Sequence, residues 1–422
     1  MIRRSLLLLS ILLQIIFMQA QPGQFIHTSG KEIIGTDGRP FLIKGTNLGN
    51  WLVPEGYMFK FKNTNSPRMI HETIAQLVGP AAAAAFWKKY LDNYITAADI
   101  HYLKTIGVNS VRLPFNYRLF TSEDYLGAND PGRGFQLLDK LVAWCKKEGL
   151  FIILDMHCAP GGQTGDNIDD GWGYPFLFES EESRLLTIGI WRKIAERYRN
   201  ETTIMGYDLL NEPIAHYFDV ARLNPLLEPF YRLLVQEIRA VDTSHIVFLG
   251  GAQWNTNFKV FGEPFDPNVV YTFHKYGDVA NLGSIQRFID FREKYNVPIY
   301  AGETGENTDE WVGTFRKLLE DHHIGWHFWP YKKMESTKNI LSITKPAYYD
   351  SLVKYAESPR TSFKDIRTLK PNAAEIKKAL EGFLNNCLFE HCTANEGYIR
   401  ALGLQDISVA PVAGDAPLTQ PD

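Results

Sequence analysis

Residues 136–156 read QLLDKLVAWCKKEGLFIILDM, and the change of period inside this stretch decides the fold. From Gln136 to Glu148, apolar side chains recur at Leu137, Leu138, Leu141, Val142 and Cys145, one face of a helix, and Gly149 follows as a stop. From Leu150 to Met156 the pattern turns into an apolar run without polar alternation, as in a strand covered on both faces.

The same pairing continues along the chain in both directions. Strand-like runs fall at Phe41–Thr46, Val108–Pro114, Leu150–Met156, Thr203–Leu210, Ile246–Gly250, Val269–His274, Pro298–Glu303 and Gly325–Trp329. Helical patterns fall at Thr96–Thr105, Gln136–Glu148, Glu182–Arg199, Pro225–Ala240, Ser284–Tyr295, Asp309–His322 and Ala373–Asn386. Such alternation implies an α/β protein with a parallel sheet, and eight strands imply a closed (β/α)8 TIM barrel. No Gly-x-Gly-x-x-Gly follows the first run, which removes the main dinucleotide-binding alternative. Phe25–Pro40, with turns at Gly30 and Asp37-Gly38, is expected to form a hairpin closing the barrel bottom. Long loops are expected after strands one, three and eight. Neither a repeat nor a second domain is visible, so residues 21–404 are expected to form one domain.

The two ends differ from the rest. Arg3-Arg4, an apolar run to Met18 and Ala20 before Gln21-Pro22-Gly23 have the order of a secretory signal peptide over residues 1–20. The alternative is a membrane anchor, but no stop-transfer flank follows. The mature protein is therefore expected to be secreted or periplasmic, with no stable membrane insertion after cleavage. Residues 405–422, rich in Ala, Pro and polar groups, read as a disordered tail. A net charge of -4 gives no basic footprint for nucleic acid. Of the four cysteines, Cys387 and Cys392 are spaced to pair in an oxidising compartment.

In a barrel of this type, reactive groups stand at the carboxyl ends of the strands. Those ends supply Arg112, His157, Asn211 with Glu212, His274 with Tyr276, Glu303 and Trp329. Packing alone seldom places two carboxylates, two imidazoles, a guanidinium and an amide at such positions. Two carboxyl groups bracketing a glycosidic bond, one protonated and one ionised, are the requirement of glycoside hydrolysis.

The set Gly45-Thr46-Asn47-Leu48-Gly49, Val111-Arg112-Leu113-Pro114, Leu154-Asp155-Met156-His157, Leu209-Leu210-Asn211-Glu212-Pro213, Phe273-His274-Lys275-Tyr276, Gly302-Glu303 and Phe328-Trp329 resembles glycoside hydrolase family 5, within the retaining barrel glycosidases. The resemblance implies Glu212 as general acid/base and Glu303 as nucleophile. It implies Arg112 and Tyr276 as partners of Glu303, and Asn211 as a ligand of the sugar 2-hydroxyl. His157 and His274 would tune Glu212 and hold substrate hydroxyls, and Trp329 would form the sugar platform. Glu306 lies past the strand and is expected to point away. Repulsion from Glu303 would raise Glu212 to roughly 6.

The loop Cys158–Tyr174 carries Pro160-Gly161-Gly162-Gln163, which resembles the β-1,3-glucanase branch of the family. Its acidic part fails the calcium-loop pattern because Ile168 stands at a ligand position. Trp172, Tyr174, Trp51 and Trp254 are candidate sugar-stacking residues, with loop anchoring the alternative. The expected activity is metal-free and cofactor-free hydrolysis of a β-linked glucan by a monomer. β-Mannan or β-xyloglucan hydrolysis and a non-catalytic binding barrel are the alternatives.

Overall fold

The computed structural model describes residues 25–277 and 279–405. The expected signal segment lies outside the described residues, as does the expected tail beyond Gln405. Eight parallel strands form a closed barrel: β1 Lys44–Asn47, β2 Ser110–Asn116, β3 Phe151–Cys158, β4 Ile204–Asp208, β5 Ile246–Gly250, β6 Val269–Tyr276, β7 Ile299–Gly305 and β8 Gly325–Trp329. Neighbours in sequence pair throughout, and β8 closes onto β1. Each overlaps one of the expected runs.

The barrel interior is layered. At the bottom, Ile26 and Ile33 pack with Ile43, Ile153, Met205, Ile246, Phe248, Val270 and Tyr300. Ile26 and Ile33 belong to the expected hairpin, whose strands His27–Ser29 and Glu32–Ile34 turn at Gly30. This plug removes apolar strand starts from water. Above it the layer turns polar: Ser110 and Tyr300 both contact His327, and all three are buried. Outside the strands, apolar faces of the surrounding helices complete one large core.

Three expected features change. The segment after β1 is not a plain loop but carries two helices, Pro67–Val78 and Pro80–Asn93. Each starts with proline at its first turn, and Ser66 caps the former by accepting from the Met69 N–H. The helix expected from Pro225 begins at Val220, because Asp219 caps it. The segment after β8 folds into a small sheet of Lys332–Met334, Leu341–Ile343 and Thr393–Ala394.

The Cys387–Cys392 disulfide is not formed; both are free, buried thiols. Cys387 Sγ points to the Leu384 carbonyl at 3.3 Å and Cys392 Sγ to the Leu388 carbonyl at 3.3 Å. Burial pushes the Cys387 thiol up to about 12 and Cys392 up to about 11, so neither ionises readily. Beside them Lys332, with no exposed side-chain surface, pairs with equally buried Asp99 and donates to the carbonyls of Tyr94 and Cys387 at 3.0 Å each. Asp99 also accepts from Thr96 N–H at the start of the helix Ala97–Ile106. This pair ties the small sheet to the helix Ala97–Ile106. Replacing Asp99 by Asn should leave the ammonium buried without its counter-charge and lower stability by about 3–5 kcal/mol. Urea unfolding of the two proteins measures the difference.

Candidate active site

The site is built upward from β2. Arg112 is wholly buried among the barrel strands. Its Nε donates to Asp208 Oδ2 at 2.9 Å from β4, and Nη1 to Asn47 Oδ1 at 3.0 Å from β1. Nη1 also donates to Glu303 Oε1 at 2.6 Å on β7. Nη2 donates to Asn211 Oδ1 at 2.9 Å and lies 3.0 Å from Asp155 Oδ1 on β3. One planar fork thus connects five strands or strand ends. Burial pushes Asp155 and Asp208 up to about 7, although Arg112 opposes the rise.

Asp155 carries the order outward. Its Oδ2 lies 2.8 Å from His157 Nδ1, and His157 Nε2 faces the Asn211 amide nitrogen at 3.4 Å. The imidazole proton therefore sits on Nδ1, and Asn211 turns its oxygen to Arg112 and its nitrogen to His157. Burial lowers His157 to about 4, so the ring is neutral.

Glu303 is held by Arg112 and by the Tyr276 hydroxyl, which donates to Oε2 at 3.0 Å. Glu212 follows β4 with φ of 47°, a left-handed conformation for a non-glycine residue. Its Oε1 lies 2.8 Å from His274 Nδ1. Asn255 Nδ2 faces His274 Nε2 at 3.1 Å, so Nδ1 carries the proton and donates to Glu212. Burial lowers His274 to about 3.

An oxygen of Glu212, an oxygen of Glu303 and a nitrogen of His274 lie within 4.8 Å of one another. Carboxyl oxygens this near one another favour the close class of carboxylate pair over the roughly 6.5–9.5 Å class that leaves room for a water. The Glu212 carboxyl is raised to about 7. The expected cause is corrected here: burial dominates, His157 and Arg112 oppose it, and Asp166 adds repulsion. These donor sets have the residue types of a metal site. The proton on His274 Nδ1 and the guanidinium on Glu303 occupy the atoms a cation would need.

The carboxylates open into a cleft of about 600 Å³ lined by Glu55, Tyr57, His157, Ile168, Trp254, Thr256, Lys275, Tyr276, Glu306 and Trp329 as well. Trp329 forms its floor, stacked on His157 with 5.6 Å between ring centroids and planes 7° apart. A Cβ on Gly49 would stand 2.6 Å from this indole, so only glycine admits the ring.

The expected aromatics divide. Trp254 lines the cleft, placed there by left-handed backbone at Gln253, Trp254 and Asn255. Trp51 does not; it is buried, with Nε1 donating to the Leu91 carbonyl at 2.8 Å, and anchors the segment after β1. Trp172 stands exposed at the surface, with the Arg68 guanidinium 4.0 Å from its ring centre, and does not line the cleft.

Several cleft groups carry no strand-end signature. Glu306 does not point away: it lines the cleft with φ of 50°, pairs with Lys333 and accepts from Tyr57 Oη at 3.2 Å. Glu55 is nearly buried, and its Oε1 has no hydrogen-bond partner among the described residues. Burial first, then repulsion from Glu303, Glu306 and Glu212, pushes its carboxyl well above the usual range. Asp155 and Asp208 had one legible signal, a carboxylate inside an otherwise apolar strand.

Comparisons with known proteins agree with this architecture. The family model for cellulase (glycosyl hydrolase family 5) matches residues 71–335, a span holding both close carboxylates, Arg112 and Trp329. A β-xylosidase of Phanerodontia chrysosporium is 32% identical over 255 residues, 60% of this chain and 52% of that protein. Endoglucanase C of Acetivibrio thermocellus is 28% identical over 59% of this chain and 88% of its own length. A glucan 1,3-beta-glucosidase of Candida oleophila is 30% identical over 66% of this chain and 68% of its own. With the family model matching more than half of the chain, this protein belongs to glycosyl hydrolase family 5 and is a glycoside hydrolase.

Proposed function

We propose that this glycosidase hydrolyses a β-linked glucan by double displacement, with Glu303 as nucleophile and Glu212 as acid/base. The observation that carries the reading is the close carboxyl pair in unlike surroundings. Glu303 touches a guanidinium and a phenol, whereas Glu212 is desolvated and raised to about 7. In the first step Glu303 attacks the anomeric carbon, the glycosidic C–O bond breaks, and the Glu212 proton passes to the leaving oxygen. In the second, ionised Glu212 takes a proton from water, whose oxygen attacks the same carbon and frees Glu303. In this reading Asn211 offers its Nδ2 to the sugar 2-hydroxyl.

A glucan is favoured by the endoglucanase and glucan 1,3-beta-glucosidase among the relatives. The β-xylosidase favours xylosides as the second reading, though the chain spans only 52% of it. The N-terminal signal segment further suggests secretion. Among the described residues no helix is long and apolar enough to cross a membrane.

Glu212 is protonated below about pH 7 and loses its proton above it. The kcat/KM profile should therefore fall on the alkaline side with a midpoint near 7. In Glu212→Gln that limb should vanish and polysaccharide cleavage should drop by about 10²–10⁴-fold. With an activated aryl glycoside the variant should accumulate glycosyl-enzyme, visible by mass spectrometry. Glu303→Gln should lose roughly 10⁴-fold or more on every substrate. Normal turnover in that variant would reject the assignment.

Reducing-sugar release should be greater from laminarin, lichenan or carboxymethyl cellulose than from mannan or xylan. A preference for xylan would move the assignment to the xylosidase reading.

A further inference from the structure

Glu212 stands on backbone that a loop from another strand holds in place. Its φ is 47° and that of Ile214 is 57°, two left-handed residues on either side of Pro213. For a β-branched residue such as Ile214 that region is a genuine outlier, so segment 211–215 persists only where its surroundings over-determine it. Its anchors are Gln163 and Thr164, consecutive residues of the loop after β3, both without exposed surface. Their carbonyls accept from the N–H groups of Ile214 at 2.8 Å and Ala215 at 3.0 Å. Their side chains take carbonyls in turn. Gln163 Nε2 donates to Asn211 O at 2.8 Å, and Thr164 Oγ1 donates to Glu212 O at 2.8 Å.

Those two carbonyls are the ones that matter for the acid. The Asn211 carbonyl lies in the peptide plane that enters the Glu212 Cα, and the Glu212 carbonyl lies in the plane that leaves it. Peptide groups are rigid planes, so holding both sets φ and ψ of Glu212 and the direction of its Cα–Cβ bond. Pro213 removes the N–H from the second plane, which leaves its carbonyl as the handle that Thr164 grips. The loop is itself firmly built. Gln163 Oε1 accepts from Ala159 N–H at 2.9 Å, and Nε2 donates also to His157 O at 2.8 Å, tying the end of β3 to the segment after β4. Buried Asp169 gathers the N–H groups of Thr164, Gly165 and Gly171 at 2.9, 2.7 and 2.8 Å. Neither Gln163 nor Thr164 lines the cleft, so both act through Glu212 and not on the sugar.

We propose that Gln163 and Thr164 are positioning residues for the acid/base: by holding the two peptide planes that flank Glu212, their side chains aim its carboxyl at the glycosidic oxygen. The inference rests on the glycosidase reading above.

The test reads how steeply the rate depends on the leaving group. A dinitrophenolate departs without a proton, whereas a phenolate needs one from Glu212. kcat/KM is measured for phenyl and dinitrophenyl β-cellobiosides, β-laminaribiosides and β-xylosides, and the best-cleaved sugar carries the comparison. Thr164→Val and Gln163→Met should each lower the phenyl-to-dinitrophenyl ratio by about tenfold to a hundredfold, the scale of a misplaced proton donor. Thr164→Ser keeps the hydroxyl and should restore the ratio. Circular dichroism and melting temperature confirm the fold of each variant. Glu212→Gln, run alongside, should lower the same ratio by about 10²–10⁴-fold. A merely structural role for the loop would lower both rates together. That result, or an unchanged ratio in folded variants, overturns the positioning role alone while Glu212→Gln still shows its drop. If Glu212→Gln also leaves the ratio in place, or the unmodified protein cleaves none of the glycosides, the glycosidase reading falls and the inference with it.

Discussion

A single guanidinium, buried at the centre of the barrel, sets the geometry of everything above it. Arg112 is wholly buried, yet its fork reaches Asp208, Asn47, Glu303, Asn211 and Asp155. Such a charge is tolerable only when its donors are met, and here the five partners come from four other strands or their ends, Asp208 and Asn211 both from β4. The packing of β1, β2, β3, β4 and β7 thereby fixes where the Glu303 carboxylate can stand. The Asp155–His157–Asn211 relay carries the same order to the Asn211 side-chain amide. Rigid strands, rather than loops, hold the close carboxyl pair's inner half.

The unlike behaviour of the two glutamates follows from what lies behind each. Glu303 backs onto a cation; Glu212 backs onto a neutral imidazole that donates one hydrogen bond and brings no charge. Removing water from Glu212 then raises its carboxyl with only partial relief from Arg112 and His157. Desolvation therefore does the work that mutual repulsion between the carboxylates was expected to do.

The fold was legible because its physics is repetitive. Eight apolar runs, seven of them followed by an amphipathic one, leave few architectures, and the strand ends then expose Arg112, Asn211, Glu212, His274, Tyr276, Glu303 and Trp329 to inspection. What escaped was whatever depends on contact between distant segments. Trp51 and Trp254 look alike in sequence, yet a carbonyl at Leu91 claims the first and a left-handed turn presents the second. Glu306 seemed to lie too far past its strand, but its backbone folds back towards Lys333. Pro225 suggested a helix start that the Asp219 cap moves five residues earlier. Of the two helices after β1, Pro80–Asn93 hid behind an alanine-rich start with little periodic signal, whereas Pro67–Val78 was overlooked although Ile70, Thr73, Ile74 and Leu77 mark its buried face.

The hairpin plug at the base has a bearing on how the enzyme can be handled. Phe25 and its neighbours close the barrel where the strands begin, while the cleft opens where they end. The amino-terminal edge of the domain and the substrate entrance are therefore opposite poles of one axis. A bead, a fluorophore or a fused module attached just ahead of Phe25 would leave the mouth facing outward, free to meet an insoluble polymer. The same attachment threaded through the loops after β3 or β8 would sit on the rim where the polymer must land.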